Sequence, residues 1–421
     1  MVESNLYFLG RPLCGVLRPY FLTETMHGEV IEAAGAFAEG LRKLSELLLD
    51  DAELRHEVGL TPEEEQVLTF DREPRELVGR VDGFLGDDGR IRFLEYNPEP
   101  AALINLFKVS SIFESLPIMR SFGEAHSVRN PTAYSALMEA FFELGGKMAE
   151  EGGITVVRPT VVDGDEVTES QHDLEIDVAV KTVASLGMEM HVVAAEELTC
   201  RDGRVFHGDR ALDLTYIFDW PNFFDTIGLA HPFWEVLRDG GIQVVNTLSG
   251  RILHGNKGTF AVLSDPRFAD LFEPTVAASL QQHVPWTRLV RPGETEWRGE
   301  TVDLLPWIER EREHLVLKPS SSYGGLGVVL GWRSDPAEWS RALAEALKRP
   351  YVVQERVHTQ RESFPLFADS TFAPRECLVD LNTFVWRTEK PQGYLARISG
   401  SDLTNVTAGT STTAPVFVLQ A

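Results

Sequence analysis

Residues 315–330 read Leu-Val-Leu-Lys-Pro-Ser-Ser-Ser-Tyr-Gly-Gly-Leu-Gly-Val-Val-Leu, and no other segment says more about the architecture. The apolar ends predict two short strands, and Lys318 stands at the end of the first. Small residues fill the connection: Ser320, Ser321, Ser322, Gly324, Gly325 and Gly327. Such residues let backbone amides approach phosphate oxygens, while hydroxyls and a lysine add donors. The segment predicts a phosphate-binding lid; the alternative is an ordinary glycine-rich hairpin with an exposed lysine.

A second informative segment lies far upstream. Residues 76–85 and 90–96 predict a hairpin around a Gly-Asp-Asp-Gly turn. Residues two apart in a strand share a face, so Glu95 and Asn97 point together, and the paired strand can bring Asp82 beside them. Three oxygen ligands on one surface suit Mg²⁺. The alternative is a salt-bridged hairpin in which Asn97 caps the following proline turn.

Two further segments carry polar residues next to apolar runs. Lys257 precedes the run 260–263 and, taken alone, is a solvated lysine at a helix start. Downstream of the predicted lid, the strand at residues 350–357 ends in polar residues, as needed where backbone groups meet an adenine edge and a carboxylate meets ribose; the alternative is an ordinary amphipathic strand. Its candidates are Gln354, Glu355 and Val357.

The rhythm of apolar residues divides the chain. Three- and four-residue spacing predicts helices at 23–54 and 133–150, and Thr61-Pro62-Glu63-Glu64 predicts a helix cap. From Ile154 onward, β-branched runs alternate with helical stretches, which indicates a parallel α/β unit. After about residue 250, strands with short connections predict antiparallel sheets.

Composition excludes several classes of function. Lys+Arg 39 against Asp+Glu 64 gives a net charge of −25, which disfavours nucleic acid and anionic membranes. Cys14, Cys200 and Cys377 are too far apart to indicate a disulfide framework or a structural zinc site. The sequence shows neither a signal peptide nor a membrane span, so a soluble cytoplasmic protein is expected.

Taken in order, these motifs resemble one known family. Arg80-x-Asp82, the string from Glu95 to Leu103, Lys257, Lys318-Pro and Gln354-Glu355 resemble the circularly permuted branch of the ATP-grasp superfamily. That branch includes glutathionylspermidine synthase-like carboxylate–amine ligases. The resemblance implies an α/β (α+β) ATP-grasp fold with a permuted order of elements, a nucleotide between two lobes and a Rossmann-like parallel subdomain.

The resemblance also implies three regions. Residues 1–150 hold N-terminal helices and the metal-ligand hairpin, residues 151–250 form the Rossmann-like substrate-side subdomain, and residues 251–421 form the ATP-binding lobes. Pro98-Glu99-Pro100 stands where the synthases have Asp-Thr-Pro, so their peptide and polyamine substrates are not carried over.

Individual roles follow from the same resemblance. Asp82, Glu95 and Asn97 are expected to bind Mg²⁺, and Lys257 and Lys318 to hold ATP phosphates. Gln354 and its neighbours would line the adenine slot. Near the C-terminus, Arg397 matches the branch's terminal arginine segment, and Arg397 or Arg80 would offset charge during phosphoryl transfer. Asp380 and Asn382 form a rival metal pair.

The expected activity is that of an ADP-forming ligase, which joins a small-molecule carboxylate to an amine through an acyl phosphate. A phosphotransferase acting on a hydroxyl and a non-catalytic nucleotide-binding protein remain as alternatives. A homodimer is expected only because homodimers are the most common oligomers of soluble proteins. The substrates themselves cannot be deduced from composition or motif spacing.

Overall fold

The computed structural model describes most of the chain. The described residues are 6–8, 11–98, 103–131, 153–158, 162–163, 166–167, 176, 180–181, 183–184, 187–322, 325–368, 371–387, 389–402, 404 and 411–420. The predicted helix at 133–150 lies outside this set, as does Gly324 of the lid.

An antiparallel sheet of six strands forms the centre of the described structure. Its strands are, in spatial order, Ser411–Ala414, Lys390–Ser399, Thr371–Trp386, Val78–Leu85 and Ile91–Asn97, and Glu362–Ala368 also pairs with Thr371–Trp386. The last two strands of the order are the predicted hairpin, which the structure confirms. The sheet therefore joins the N-terminal hairpin to strands almost 300 residues downstream.

A second antiparallel sheet carries the predicted nucleotide strands. It consists of Thr287–Leu289, Tyr351–Glu355, Leu315–Pro319 and Val329–Leu330, in that spatial order. The predicted parallel unit is also confirmed: Met190–Ala194, Ile154–Arg158, Leu214–Ile217 and Gln243–Val244 form a parallel sheet. Smaller sheets contain Tyr20–Thr23 with Val416–Leu419 and Val128–Arg129; Leu198–Arg201, Arg204–His207 and Arg210–Leu212; and the ribbons Tyr7–Phe8 with Arg11–Pro12, Val162–Asp163 with Glu166–Val167, and Glu294–Trp297 with Glu300–Asp303.

Helices, most of them short, connect and cover the sheets. The α-helices are Glu24–Leu48, Ala52–Val58, Pro62–Val67, Leu103–Ser115, Pro117–Ala125, Trp220–Ile227, Phe233–Arg238, Leu248–Gly255, Thr259–Leu263, Pro274–His283, Leu304–Arg310 and Pro336–Ala346. Short 3₁₀ helices occur at Ala195–Glu197, Pro266–Leu271, Arg312–His314 and Gly331–Arg333. Within the described residues, no helix combines the length and apolarity that crossing a bilayer requires.

The prediction of one helix over residues 23–54 was wrong in its C-terminal part. The helix Glu24–Leu48 ends, and Asp51 starts a new one by accepting hydrogen bonds from the backbone amides of Glu53 and Leu54. A side chain that satisfies two otherwise unpaired amides favours a helix start over continuation. The predicted cap at Thr61 is confirmed as a reciprocal capping box with Glu64.

The long helix Glu24–Leu48 packs its apolar stripe on the central sheet. Phe37 is buried at its middle, with ring centroids 5.4 Å from Phe93 of the hairpin and 5.3 Å from Phe260 beside Lys257. One side chain thus packs against both segments that carry predicted site residues. Close packing around Phe37 therefore fixes the position of the hairpin relative to Lys257.

Candidate active site

The hairpin places four polar side chains on one face of the central sheet. Asp82 lies opposite Glu95, and Arg80 lies opposite Asn97, with a bulge directly after Asp82. Directly opposed residues of antiparallel strands project to the same side, and residues two apart do so as well. The period-2 expectation from the sequence is therefore confirmed for this face.

The neighbouring strands add the residues that the sequence had set apart as a rival metal pair. Asn382 pairs with Asp82 across one strand boundary, and Asp380 pairs with Arg397 across the next. Asp380 and Asn382 do not form a separate site, because sheet pairing brings them onto the face that carries Asp82. Their strand lies nearly 300 residues from the hairpin, so local spacing could not reveal this neighbour.

Asp82 is the centre of a buried charge network. Its Oδ1 accepts from Arg80 Nε at 2.6 Å, and its Oδ2 accepts from Arg80 Nη2 at 2.9 Å, Asn97 Nδ2 at 3.0 Å and Arg397 Nη2 at 2.8 Å. Two guanidinium groups thus share one carboxylate. Charge-assisted bonds of this kind hold both arginines in fixed orientations.

Asp380 extends the network on the other side of Arg397. Its Oδ2 accepts from Arg397 Nε at 2.9 Å and from the hydroxyl of Thr404 at 2.7 Å, and Arg397 Nη2 also donates to it. Burial raises the pKa of the Asp380 carboxyl; the Arg397 charge opposes this rise and Asp82 adds to it. Thr404 was missed by sequence reasoning because no motif marks it.

Both predicted lysines reach the hairpin. Lys257 Nζ lies 3.4 Å from Glu95 Oε2, and Lys318 Nζ donates to the Leu94 carbonyl at 3.3 Å. Burial alone would raise the pKa of Glu95, but the charges of Lys257, Lys318, Arg397 and Arg80 together outweigh it and lower this pKa to about 2. Burial, with the charge of Lys257, lowers the pKa of Lys318 to about 8. The acidic and lysine-bearing segments therefore form one electrostatic unit.

Lys257 is held by a close approach of backbones. Its amide donates to the Ser320 carbonyl at 2.8 Å, and its ammonium donates to the Ser322 carbonyl at 2.7 Å. The next residue is Gly258, where an added Cβ would come within 1.8 Å of the Val58 carbonyl oxygen. Only glycine fits there without a backbone shift, so the glycine sets the position of the lysine.

The described part of the lid is folded against its surroundings. Ser321 Oγ donates to Glu64 Oε1 at 2.7 Å, a contact that sequence reasoning missed, since Glu64 was assigned only to a helix cap. Ser320 is fully buried, and its hydroxyl has no hydrogen-bond partner among the described residues. Gly325 and Gly327 have φ values of +73° and +75°, which residues other than glycine adopt only with backbone strain.

The three residues predicted to line the adenine slot have different surroundings. Gln354 is buried; its Oε1 accepts from Lys318 Nζ at 2.7 Å, and its Nε2 donates to Thr287 at 3.0 Å. Glu355 instead pairs with Arg298 at 2.8 Å, and Val357 is half-buried beyond the strand end. As the structure has it, Gln354 positions Lys318, and adenine contact stays a prediction for all three residues.

The hairpin can be tested for its fit to a divalent metal. Among the described residues no group of three His, Cys, Asp or Glu side chains has an arrangement that could hold one. Glu95 keeps 30% of its side chain exposed, and the atom of Asn97 that contacts Asp82 is its amide nitrogen, not its oxygen. The carboxylate oxygens of Glu95 and the amide oxygen of Asn97 are of the kind that Mg²⁺ prefers as ligands. Asp82 Oδ2 accepts three hydrogen bonds and Oδ1 accepts one from Arg80, so Oδ1 is the oxygen of Asp82 better placed to bind a metal.

Behind the hairpin lies a buried cluster that the sequence did not reveal. Glu76 accepts from the Tyr96 hydroxyl and contacts His254 Nδ1 at 3.0 Å, and Glu76 and His254 each keep 1% of their side chains exposed. Tyr96 lies between Glu95 and Asn97, and His254 lies three residues before Lys257. The cluster therefore ties the acidic strand to the lysine segment from behind. The only sequence signal was a histidine close to Lys257.

Comparison with known proteins supports the fold. No protein-family model matches the chain. The structure superposes with a TM-score of 0.64 on a glutathione synthetase-like effector (GSS30) from Globodera pallida, covering 99% of this chain and 94% of that one at 11% identity. A RimK domain ATP-grasp protein from Sphaerobacter thermophilus gives a TM-score of 0.26 at 16% identity, over 62% of this chain and 90% of that one, and nothing is based on it.

One curated relative matches in sequence. A Frankia casuarinae protein, assigned by its name as glutamate–cysteine ligase 2-2, is 34% identical over 89 residues, which is 21% of this chain. The matched segment spans about 10% of that relative's length. The chain thus has a mixed α/β fold, as predicted, and shares it with the glutathione synthetase-like effector, while membership of the ATP-grasp superfamily, its circularly permuted branch and the three-region division remain predictions.

Proposed function

We propose that the protein is an ATP-dependent carboxylate–amine ligase. The observation that supports this best is the meeting of the two lysines with the acidic hairpin, 3.4 Å between Lys257 Nζ and Glu95 and 3.3 Å between Lys318 Nζ and the Leu94 carbonyl. Two ammonium groups at one place can bind a triphosphate, and carboxylate and amide oxygens beside them can hold the Mg²⁺ that offsets part of its charge. The likeness in fold to a glutathione synthetase-like protein adds support.

In the proposed reaction, a substrate carboxylate oxygen attacks the γ-phosphorus of ATP, and the bond from phosphorus to the ADP oxygen breaks. The amine then attacks the acyl carbon, loses a proton and expels phosphate, which leaves an amide. A carboxylate is a poor electrophile, and the acyl phosphate gives it a good leaving group. Phosphoryl transfer itself depends mainly on positioning and on charge stabilisation.

The residues of this chain divide that work. Lys257 and Lys318 hold the phosphates, and Arg80 and Arg397, both locked on Asp82, offset the charge that grows during transfer. Glu95 and Asn97 would hold Mg²⁺, which supplies further neutralisation of phosphate charge when bound. The lid around Ser320–Ser322 would exclude water, because water hydrolyses an acyl phosphate.

Turnover assays of two variants test the proposal. Glu95→Gln and Lys318→Ala should each lower carboxylate-dependent ADP release at least ~100-fold, since one such electrostatic group contributes about that much to kcat. Glu345→Gln and Lys348→Ala remove an exposed ion pair elsewhere and serve as matched controls. Unchanged turnover in Glu95→Gln or Lys318→Ala would reject the roles proposed for these residues, and an absence of carboxylate-dependent ADP release in the wild type would reject the ligase. A stable phosphorylated product, with no amine-dependent phosphate release, would instead indicate a phosphotransferase.

A further inference from the structure

A cavity of about 550 Å³ lies beside the lid, between the helices Pro62–Val67, Trp220–Ile227 and Leu248–Gly255. Its wall is largely apolar and includes Val67, Trp220, Phe224, Leu248, Ile252 and the lid residue Leu326. Leu326 is 65% exposed at the edge of this wall. Cavities of this size and lining bind small organic molecules.

One charged side chain joins this cavity to the phosphate-binding side. Arg251 lines the cavity, and a Cβ added at Gly255 would lie 2.5 Å from its Nη1 and 3.3 Å from Pro98 Cγ. Pro98 directly follows Asn97, and Lys257 is two residues beyond Gly255. The Arg251 guanidinium therefore lies where the cavity meets the hairpin. A guanidinium is the side chain best suited to a carboxylate.

The other charged residues that line the cavity are three acids, Glu63, Glu64 and Asp225, and one further arginine, Arg349, so the acids are in excess. Glu63 and Asp225 are both exposed. A ligand whose second carboxylate lies on the side of Glu63 and Asp225 meets like charges, and like charges held close together oppose binding. A ligand with an ammonium group or a neutral end meets no such penalty.

We infer that this cavity binds the acyl substrate of the proposed ligase, and that the substrate is a monocarboxylic acid with an apolar body, such as an aliphatic or aromatic amino acid. The inference rests on the proposed function for the reaction that follows binding. The apolar wall takes the side chain, and Arg251 holds the carboxylate towards Asn97 and Lys257. The two acids at Glu63 and Asp225 select against dicarboxylates.

A substrate series tests the inference, with hydroxylamine as the amine and with ADP and hydroxamate as the products measured. We expect kcat/KM for L-phenylalanine or L-leucine to exceed that for glycine and L-glutamate at least ~10-fold, the usual discrimination by an apolar pocket. Phe224→Ala should raise the KM for the preferred amino acid at least ~10-fold. Phe372→Ala, at a residue that is 50% exposed and lies outside the cavity, should leave this KM unchanged.

A charge reversal tests the role of the acids. Asp225→Arg should raise kcat/KM for L-glutamate relative to that for L-phenylalanine. Asp209→Arg makes the same charge change at an exposed residue outside the cavity and should not alter this ratio.

Two outcomes separate this inference from the proposed function. If L-glutamate or glycine is preferred and Phe224→Ala has no effect, the ligase stands and the apolar substrate is wrong. If no carboxylate stimulates ADP release although ATP binds, the ligase fails. The cavity is then tested by calorimetry with L-phenylalanine: binding that Phe224→Ala weakens supports the apolar site, and absence of binding overturns it.

Discussion

At the scale of single residues, Asp82 is the point on which the active-site face depends. Three strands meet there, and Arg80 and Arg397 both donate to its carboxylate although their side chains keep only 10% and 15% of their surface exposed. Two buried cations cost much solvation free energy unless an anion compensates them. Asp82 thus compensates both buried arginines, alone for Arg80 and together with Asp380 for Arg397, whether or not it ever contacts a metal.

Removal of this carboxylate should therefore reduce stability strongly. Asp82→Ala leaves two buried guanidinium groups short of a partner, and we expect the free energy of unfolding in urea to fall by about 3–5 kcal/mol. Asp209→Ala at an exposed position should change it by no more than ~0.5 kcal/mol. If Asp82→Ala lowers the free energy of unfolding by less than ~1 kcal/mol, the charge network around Asp82 is exposed to water rather than buried.

Lys318 should make nucleotide binding depend on pH. Its pKa is lowered to about 8, so the ammonium is charged below that value and loses its proton as the pH rises through it. Phosphates bind the charged form, so the affinity for ADP should fall roughly tenfold between pH 7 and pH 9, in proportion to the charged fraction. Calorimetric titrations at pH 7, 8 and 9 measure this. Lys318→Arg keeps its charge and should flatten the profile, whereas an equal slope in both proteins would assign the pH dependence to another group.

At the scale of elements, the segment from Leu248 to Leu263 positions Lys257. Two short helices, Leu248–Gly255 and Thr259–Leu263, flank a loop that is wedged between the lid backbone and the end of the helix Ala52–Val58. Gly258 allows that wedge, because its Cα lies against the Val58 carbonyl. The loop can therefore move only if its neighbours move with it.

Gly258→Ala should displace Lys257 and weaken nucleotide binding. A Cβ 1.8 Å from the Val58 oxygen forces a backbone shift, and we expect a loss of about 1–3 kcal/mol in unfolding free energy together with a higher Kd for ATP. Gly28→Ala is the matched control, since its helical site has no neighbour within 4 Å and should gain roughly 0.5–1 kcal/mol. Retention of both wild-type stability and wild-type ATP affinity in Gly258→Ala would contradict this role of the loop.

At the scale of the whole molecule, local sequence patterns predicted secondary-structure elements but did not show which distant elements contact one another. Period-2 spacing placed Glu95 beside Asn97 correctly, because a hairpin is a local structure. The contact between Lys318 and Leu94 spans 224 residues, and only the resemblance in motif order pointed to it. Asp380 was taken for a rival site because nothing in its own surroundings reveals which strand lies beside it. The Glu64–Ser321 contact depends on loop packing, for which the sequence carries no periodic signal.

The most direct test of the shared cleft is a double-mutant cycle on nucleotide binding. Glu95→Gln, Lys318→Ala and the double variant are titrated calorimetrically with Mg²⁺ and a non-hydrolysable ATP analogue at pH 7. If one triphosphate lies between the hairpin and the lysine, each single change weakens binding and the two effects are coupled by about 0.5–3 kcal/mol. Effects that add to within ~0.3 kcal/mol, or no effect of either change, would contradict a nucleotide held between these two segments.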